Sequence, residues 1–226
     1  MEFKKNWWKY LGGLLILYSI IAGLLMKVPE LPIIRESIRN LFFHVCMWFA
    51  MIAIMGVSAV QSIMYLRNMK RETDIAASEA AFTGLLFGFL GITTGMIWAN
   101  FTWGTPWTND PQLNGAAVSI LIYLAYAVLR SSIDEEQKRA RISAVYNVFA
   151  FVLFIVFVGV LPRMAAASIH PGKGGNPALG ATSLDSMMRL VFYPAIIGWI
   201  IVAIIIWNIR RRLKMAQMAQ MEMEEE

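Results

Sequence analysis

Two histidines are the residues of this sequence best suited to chemistry, and its 226 residues contain no others. His44 lies in the stretch RNLFFHVCMWFAMIAIM, and His170 lies in RMAAASIHPGKGG. A neutral imidazole is a common metal ligand, and the same ring serves as an acid or a base near neutral pH. Each histidine also has a structural alternative: packing beside a Trp/Met stripe for His44, and an ordinary exposed loop position for His170.

The stretch WGTPWTND is a second candidate group because it is aromatic and carries no charge except that of Asp110. Trp103 and Trp107, with Gly104 between them, offer flat apolar surface to a planar ligand. Asp110 followed by Pro111 has the pattern of an N-cap and a proline at the first helical position, so it predicts a helix start. Tryptophans also gather where a membrane meets water, which is the structural explanation of the same stretch.

Motifs of common enzymes are missing from the sequence. It contains no H-E-x-x-H and no G-x-S-x-G, and its PGKGG stretch lacks the spacing of a phosphate-binding loop. The single cysteine, Cys46, excludes an internal disulfide and any metal site built on a pair of cysteines. We therefore expect a protein that is not an enzyme.

Composition places the chain in a membrane. Of its residues 58% are hydrophobic and 15% are charged, and the mean hydropathy is +0.57. Soluble domains carry about a quarter charged residues, and a run of about 20 apolar residues spans a bilayer as a helix. Six such runs are present, at about 8–26, 42–66, 77–98, 112–130, 143–162 and 188–209. The sequence predicts an all-α integral membrane protein, a six-transmembrane-helix bundle in one domain, 1–210, with a cytoplasmic tail, 211–226.

Lysines and arginines divide unevenly between the two ends of these spans, with fourteen at one end and six at the other. Short basic connections stay in the cytoplasm, so both termini are predicted to be cytoplasmic. Alternate connections then lie on the same side of the membrane. The outer face is therefore predicted to hold His44, a loop at about 98–114, and a loop at about 163–187 that contains His170. The net charge of +5 is explained by basic residues at the ends of the membrane spans, so it does not indicate nucleic-acid binding.

Four glycines, at positions 84, 88, 91 and 95, fall on one face of the third predicted span. Small residues at such spacing let neighbouring helices approach closely. Close helix packing is the favoured interpretation of this stripe, and room for a bulky flat ligand is the alternative.

Two histidines on one face, with an aromatic surface between them in the sequence, suit a flat apolar ligand that contains iron. Imidazoles are standard axial ligands of haem iron. Helix N-termini at the outer face would attract the carboxylates of such a ligand. Basic residues predicted at the same face would add to this attraction: Arg35, Arg39, Arg163, Lys173 and Arg189.

Two other functions compete with this interpretation. A membrane electron carrier of cytochrome b type normally takes its histidines from within helices, whereas His44 and His170 are predicted at one surface. A small-molecule transporter needs broken helices or polar residues near the middle of the membrane, of which the sequence shows few.

The sequence resembles the haem-handling membrane family of cytochrome c maturation, and most closely its haem exporter C members. The resemblance covers roughly residues 30 to 210. It rests on RNLFFHV around His44, the loop WGTPWTNDPQLN, IHPG around His170 and the plan of six spans.

What the resemblance implies is a multi-pass protein of the cell inner membrane that binds haem b transiently and without a covalent bond. His44 and His170 would be the axial ligands of the iron. Trp103, Gly104, Trp107 and Asp110 would belong to the haem cradle. The haem would pass to a periplasmic haem chaperone, and ATP-driven transporter subunits would be partners.

Three positions depart from the usual loop of that family, W-G-x-x-W-x-W-D followed by arginine, leucine and a small polar residue. Asn109 stands in place of the third tryptophan, Gln112 in place of the arginine and Asn114 in place of the small polar residue. The departures remove one aromatic face and one possible partner for a haem carboxylate, so haem affinity or release is expected to differ.

Cysteines introduced singly at positions 44, 107 and 170 test the predicted sidedness. A membrane-impermeant maleimide added to intact cells should label all three from the outside, because alternate connections share one face of the membrane. Labelling of these positions from opposite sides would contradict the six-span arrangement.

Overall fold

A computed structural model describes residues 2–29, 34–170 and 184–225, and nearly all of them are helical. The elements in chain order are α1 (Glu2–Leu25), a 3-10 helix (Arg35–Phe42), α2 (His44–Asn68), α3 (Arg71–Trp103), α4 (Pro111–Ser131), α5 (Glu136–Ile155), a π-helical turn (Val156–Val160), α6 (Leu161–Met164) and α7 (Ser186–Glu225). Within these described residues, six segments are long and apolar enough to cross a membrane. The predicted all-α bundle of six membrane-spanning helices is confirmed.

The connection between α3 and α4, at the His44 end of the bundle, is shorter than the sequence suggested. Helix α3 continues to Trp103 and ends at Gly104, whose φ of 76° places it in the left-handed region that glycine tolerates best. Helix α4 begins at Pro111, so the predicted loop at 98–114 is a turn between two helices. Of the predicted loop at 163–187, residues 171–183 lie outside the described residues. At the far end, α7 continues through the predicted tail to Glu225.

Helices α2 and α3 form the most extensive helix pair of the bundle. Each glycine of the α3 stripe faces one large side chain of α2, and a methyl group added to any of the four would approach that side chain to 3.0 Å or less. The pairs are Gly84 with Met55, Gly88 with Met51, Gly91 with Trp48 and Gly95 with His44. Close packing, the favoured interpretation of the glycine stripe, is confirmed.

Polar contacts join the helices in the half of the bundle away from His44. Arg130 of α4 donates to both carboxylate oxygens of Asp74 of α3, at 2.8 and 2.6 Å. The amide of Asn147 on α5 donates to the hydroxyls of Ser58 and Ser62 on α2, at 2.7 and 2.8 Å. Hydrogen bonding to partners offsets the cost of holding such groups away from water. These contacts hold α2, α3, α4 and α5 in fixed relative positions and so support the His44 end of the bundle.

The fifth span widens into the π-helical turn immediately before Pro162. Proline has no N–H to donate to the carbonyl four residues earlier, and the Leu161 N–H instead reaches back five residues to Val156. Gly115 of α4 packs directly against this turn, since an added methyl group would lie closer than 3.0 Å to the carbonyl oxygen of Phe157. The first turns of α4 therefore set the position of the chain that leads to His170.

Replacing Gly115 by alanine is expected to lower the free energy of unfolding by about 1–3 kcal/mol, because the rigid Phe157 carbonyl leaves no room for the methyl group. Gly13→Ala is the matched control, since nothing lies within 4 Å of its added methyl group. The control should leave the stability unchanged or raise it by up to about 1 kcal/mol. Reversible unfolding in mixed micelles with increasing SDS measures both, and equal midpoints would contradict the close contact.

Candidate cofactor site at one end of the bundle

His44 is the first residue of α2, and its ring is held against α3. Its Nδ1 lies 2.8 Å from the carbonyl oxygen of Gly91 and 3.4 Å from the hydroxyl of Thr94. Because a carbonyl oxygen only accepts hydrogen bonds, the Nδ1 atom carries the hydrogen and donates it. The lone pair of the ring is therefore on Nε2.

His170 approaches the same end of the bundle on the non-helical chain that follows α6, and its ring is largely buried among indoles. Its centroid lies 5.5 Å from that of Trp103 and 6.2 Å from that of Trp98, and these two indoles meet edge to face at 5.0 Å. The ring of His44 packs on Gly95, which lies one helical turn before Trp98 on α3. The structure thus brings together both predicted histidines and Trp103.

Asp110 joins the start of α4 to the chain that carries His170. One carboxylate oxygen accepts a 2.8 Å hydrogen bond from the backbone N–H of Gln112, which confirms the predicted N-cap. The other oxygen accepts from the Ser168 hydroxyl at 2.7 Å and from the Ile169 N–H at 2.9 Å. The carboxylate is 2% exposed, and its capping oxygen lies 3.6 Å from Nδ1 of His170.

The surroundings favour an ionised Asp110 and a neutral His170. Burial opposes the charge on Asp110, but hydrogen bonds from Ser168, Gln112 and Ile169 outweigh it, so the pKa of the carboxyl lies below its ordinary value. Burial disfavours the charged form of His170 and lowers the pKa of its ring, although the charge of Asp110 opposes that shift. A histidine whose pKa is lowered is uncharged at neutral pH, which is the form that binds metals.

Trp98 belongs to the site although the predicted set did not include it. It lies on the last turns of α3, one turn beyond the Gly95 that packs on His44, and its indole N–H donates to the Ser37 hydroxyl at 3.1 Å. This bond connects α3 to the 3-10 helix that precedes His44. Helical spacing from the glycine stripe was the sequence signal that would have found it.

The predicted turn residues Gly104 and Trp107 lie beside this cluster and not inside it. Gly104 ends α3, and the Trp107 indole is 37% exposed, with no ring contact to other aromatic side chains of the described chain. Asn109 and Asn114 bond to each other, because the Asn114 amide donates to the side-chain oxygen of Asn109 at 2.7 Å. This hydrogen bond joins the turn before α4 to the first turn of that helix.

The basic residues expected near the site serve the fold where their side chains are described. Arg39 donates to the carbonyl oxygens of Gly23 and Met26 at the end of α1, at 2.8 and 2.7 Å. Arg163 donates to the carbonyl of Gly159, and Arg189 donates to that of Leu184 at 2.8 Å. The expected roles of Lys173 and of the Arg35 side chain fall outside the described residues.

The described residues contain six membrane-length helices, which define a multi-pass membrane protein, and two imidazoles and two indoles lie at one end of them. The family described as heme exporter protein C matches residues 2–225, and the chain belongs to that family. It is therefore a haem-handling membrane subunit of cytochrome c maturation.

Individual relatives agree with this assignment. A heme exporter protein C of Rhodobacter capsulatus is 23% identical over 229 residues, which cover 95% of this chain and 93% of the relative. One from Bradyrhizobium diazoefficiens is 31% identical over 109 residues, 48% of this chain and 41% of the relative. A cytochrome c biogenesis protein CcsA of Prochlorococcus marinus is 37% identical over 109 residues, 46% of this chain and 34% of the relative.

Proposed function

We propose that this protein binds haem b transiently and without a covalent bond at the outer face of the cell inner membrane, with His44 and His170 as axial ligands. It presents the haem to a periplasmic haem chaperone, works with ATP-driven transporter subunits and is not itself an enzyme. The observation that carries the proposal is the convergence of two imidazoles and two indoles at one end of the bundle.

The residues present fit haem. The Nδ1 atom of His44 is committed to the Gly91 carbonyl, which is how metal-ligating histidines are usually oriented, and its Nε2 remains available. The ring of His170 is largely buried beside the indoles of Trp98 and Trp103. Trp98 and Trp103 supply apolar edges and faces for a macrocycle.

Two histidines suit an iron whose other four ligands belong to a porphyrin. The described residues contain no group of three or more His, Cys, Asp or Glu side chains that would hold a bare metal ion. Haem, when bound, supplies iron that accepts two axial ligands. Since two axial bonds oppose release, a partner must weaken one of them at transfer.

The uneven distribution of basic residues supports placing this end of the bundle outside and both termini inside. The protein itself leaves two apolar side chains near the site uncovered, with Phe101 81% and Trp107 37% exposed. A site at the membrane surface allows a soluble chaperone to reach the haem, which a site at the middle of the membrane would not.

Absorption spectra of protein purified after expression with ample haem test the ligands. The wild type should show a Soret band. His44→Ala and His170→Ala should each retain at least tenfold less haem, because even loss of a residue that supports a metal ligand costs about 10–100-fold in affinity. The double variant should retain none, and Gly13→Ala should match the wild type. A wild type without a Soret band, or a double variant with an unchanged one, would contradict the proposal.

Gly95→Ala is expected to reduce haem occupancy by roughly tenfold through His44 alone. The added methyl group would lie 2.6 Å from Cε1 of the His44 ring, so the ring must move away from its bond to Gly91. In the control Gly84→Ala the methyl group meets the flexible end of Met55, which can turn aside. Haem content per protein, determined as the pyridine complex, should fall in the first variant only; an equal loss in both would indicate a general packing defect.

A further inference from the structure

The carboxylate of Asp110 holds more of the site than a helix cap requires. Capping α4 uses one of its oxygens, through Gln112. The second oxygen holds Ser168 and Ile169, the two residues that precede His170, and the Ser168 hydroxyl in turn accepts from the His170 N–H at 3.1 Å. The backbone of His170 is therefore tied to the start of α4 through one buried group.

The ring of His170 lies against the same carboxylate. Its Nδ1 is buried, makes no hydrogen bond among the described residues and lies 3.6 Å from the Asp110 oxygen that caps α4. An ionised carboxylate accepts hydrogen bonds and donates none. A lone pair on Nδ1 would therefore face a negative charge, whereas an Nδ1–H is attracted to it and forms a hydrogen bond after a small rotation of the ring.

We propose that Asp110 is a positioning residue for His170: it anchors the Ser168–Ile169 backbone and selects the tautomer with hydrogen on Nδ1, so that the Nε2 lone pair is presented as the ligand. The role of Nε2 as a ligand rests on the proposed function, whereas the tautomer is a property of the haem-free protein. Ser168 serves the same end by fixing the backbone of His170.

The two histidines then share one orientation with different acceptors. His44 donates from Nδ1 to the neutral carbonyl of Gly91, and His170 donates toward the anionic Asp110. A carboxylate acceptor makes an imidazole a stronger electron donor than a carbonyl does. The charge of Asp110 thereby makes His170 the stronger electron donor, while packing against α3 holds His44 in place.

Histidine-selective 15N labelling of haem-free protein in micelles tests the tautomer directly, because only two imidazoles contribute to the spectrum. Long-range 15N–1H spectra should show Nδ1–H for both rings in the wild type. Asp110→Ser retains a good N-cap residue but has neither the charge nor a side chain long enough to place an oxygen beside Nδ1 of His170. It should remove the Nδ1–H preference of His170 and leave His44 unchanged as the internal control. Asp110→Thr, which also caps a helix, takes its place if Asp110→Ser does not fold.

Loaded protein gives a second readout. Asp110→Asn should bind haem about 10–100-fold more weakly. Its haem should have a higher reduction potential than the wild type, because the neutral ligand donates less charge. Ser168→Ala retains the carboxylate and should keep the tautomer. An Nε2–H tautomer of His170 in the wild type would overturn the positioning role, and so would an Nδ1–H preference that is unchanged in Asp110→Ser. Absence of haem binding in a wild type that shows the expected tautomer would overturn the proposed function alone.

Discussion

The matched stripes of α2 and α3 are the constraint on which the site depends. Within a membrane, helices gain little from hiding apolar surface, so they associate through close van der Waals contact and small residues at the interface. The last contact of this stripe is between Gly95 and His44, so a candidate ligand is also a packing side chain. Its ring is held by the same close approach that holds the helices together, so little reorganisation would be needed for His44 to act as the proposed ligand.

The second histidine is held by different means. His170 follows a short helix and a non-helical stretch, where no helix face can fix a ring. Asp110 instead binds the chain just before it, and the indoles of Trp98 and Trp103 surround the ring. The site therefore combines one imidazole set by packing with another set by a buried carboxylate. This division suits a protein that must bind its cargo and later release it.

Features that depend on local sequence were predictable, whereas contacts that depend on how the chain folds in three dimensions were not. Hydropathy located the six spans, and the Asp110–Pro111 pair marked the start of α4. Sequence could not show the second set of bonds made by Asp110, because Ser168 is distant along the chain. The bond between Asn109 and Asn114 was not predicted either, because only the geometry of the turn before α4 brings these two side chains together.

Complementation by free imidazole is the most direct test that both histidines ligate one iron. His44→Gly and His170→Gly each leave room for one imidazole molecule in place of the deleted ring. Electron paramagnetic resonance of the ferric protein should show a low-spin signal in the wild type, its loss in each variant and its return when imidazole is added. A variant that keeps the wild-type signal without imidazole would contradict ligation by that histidine.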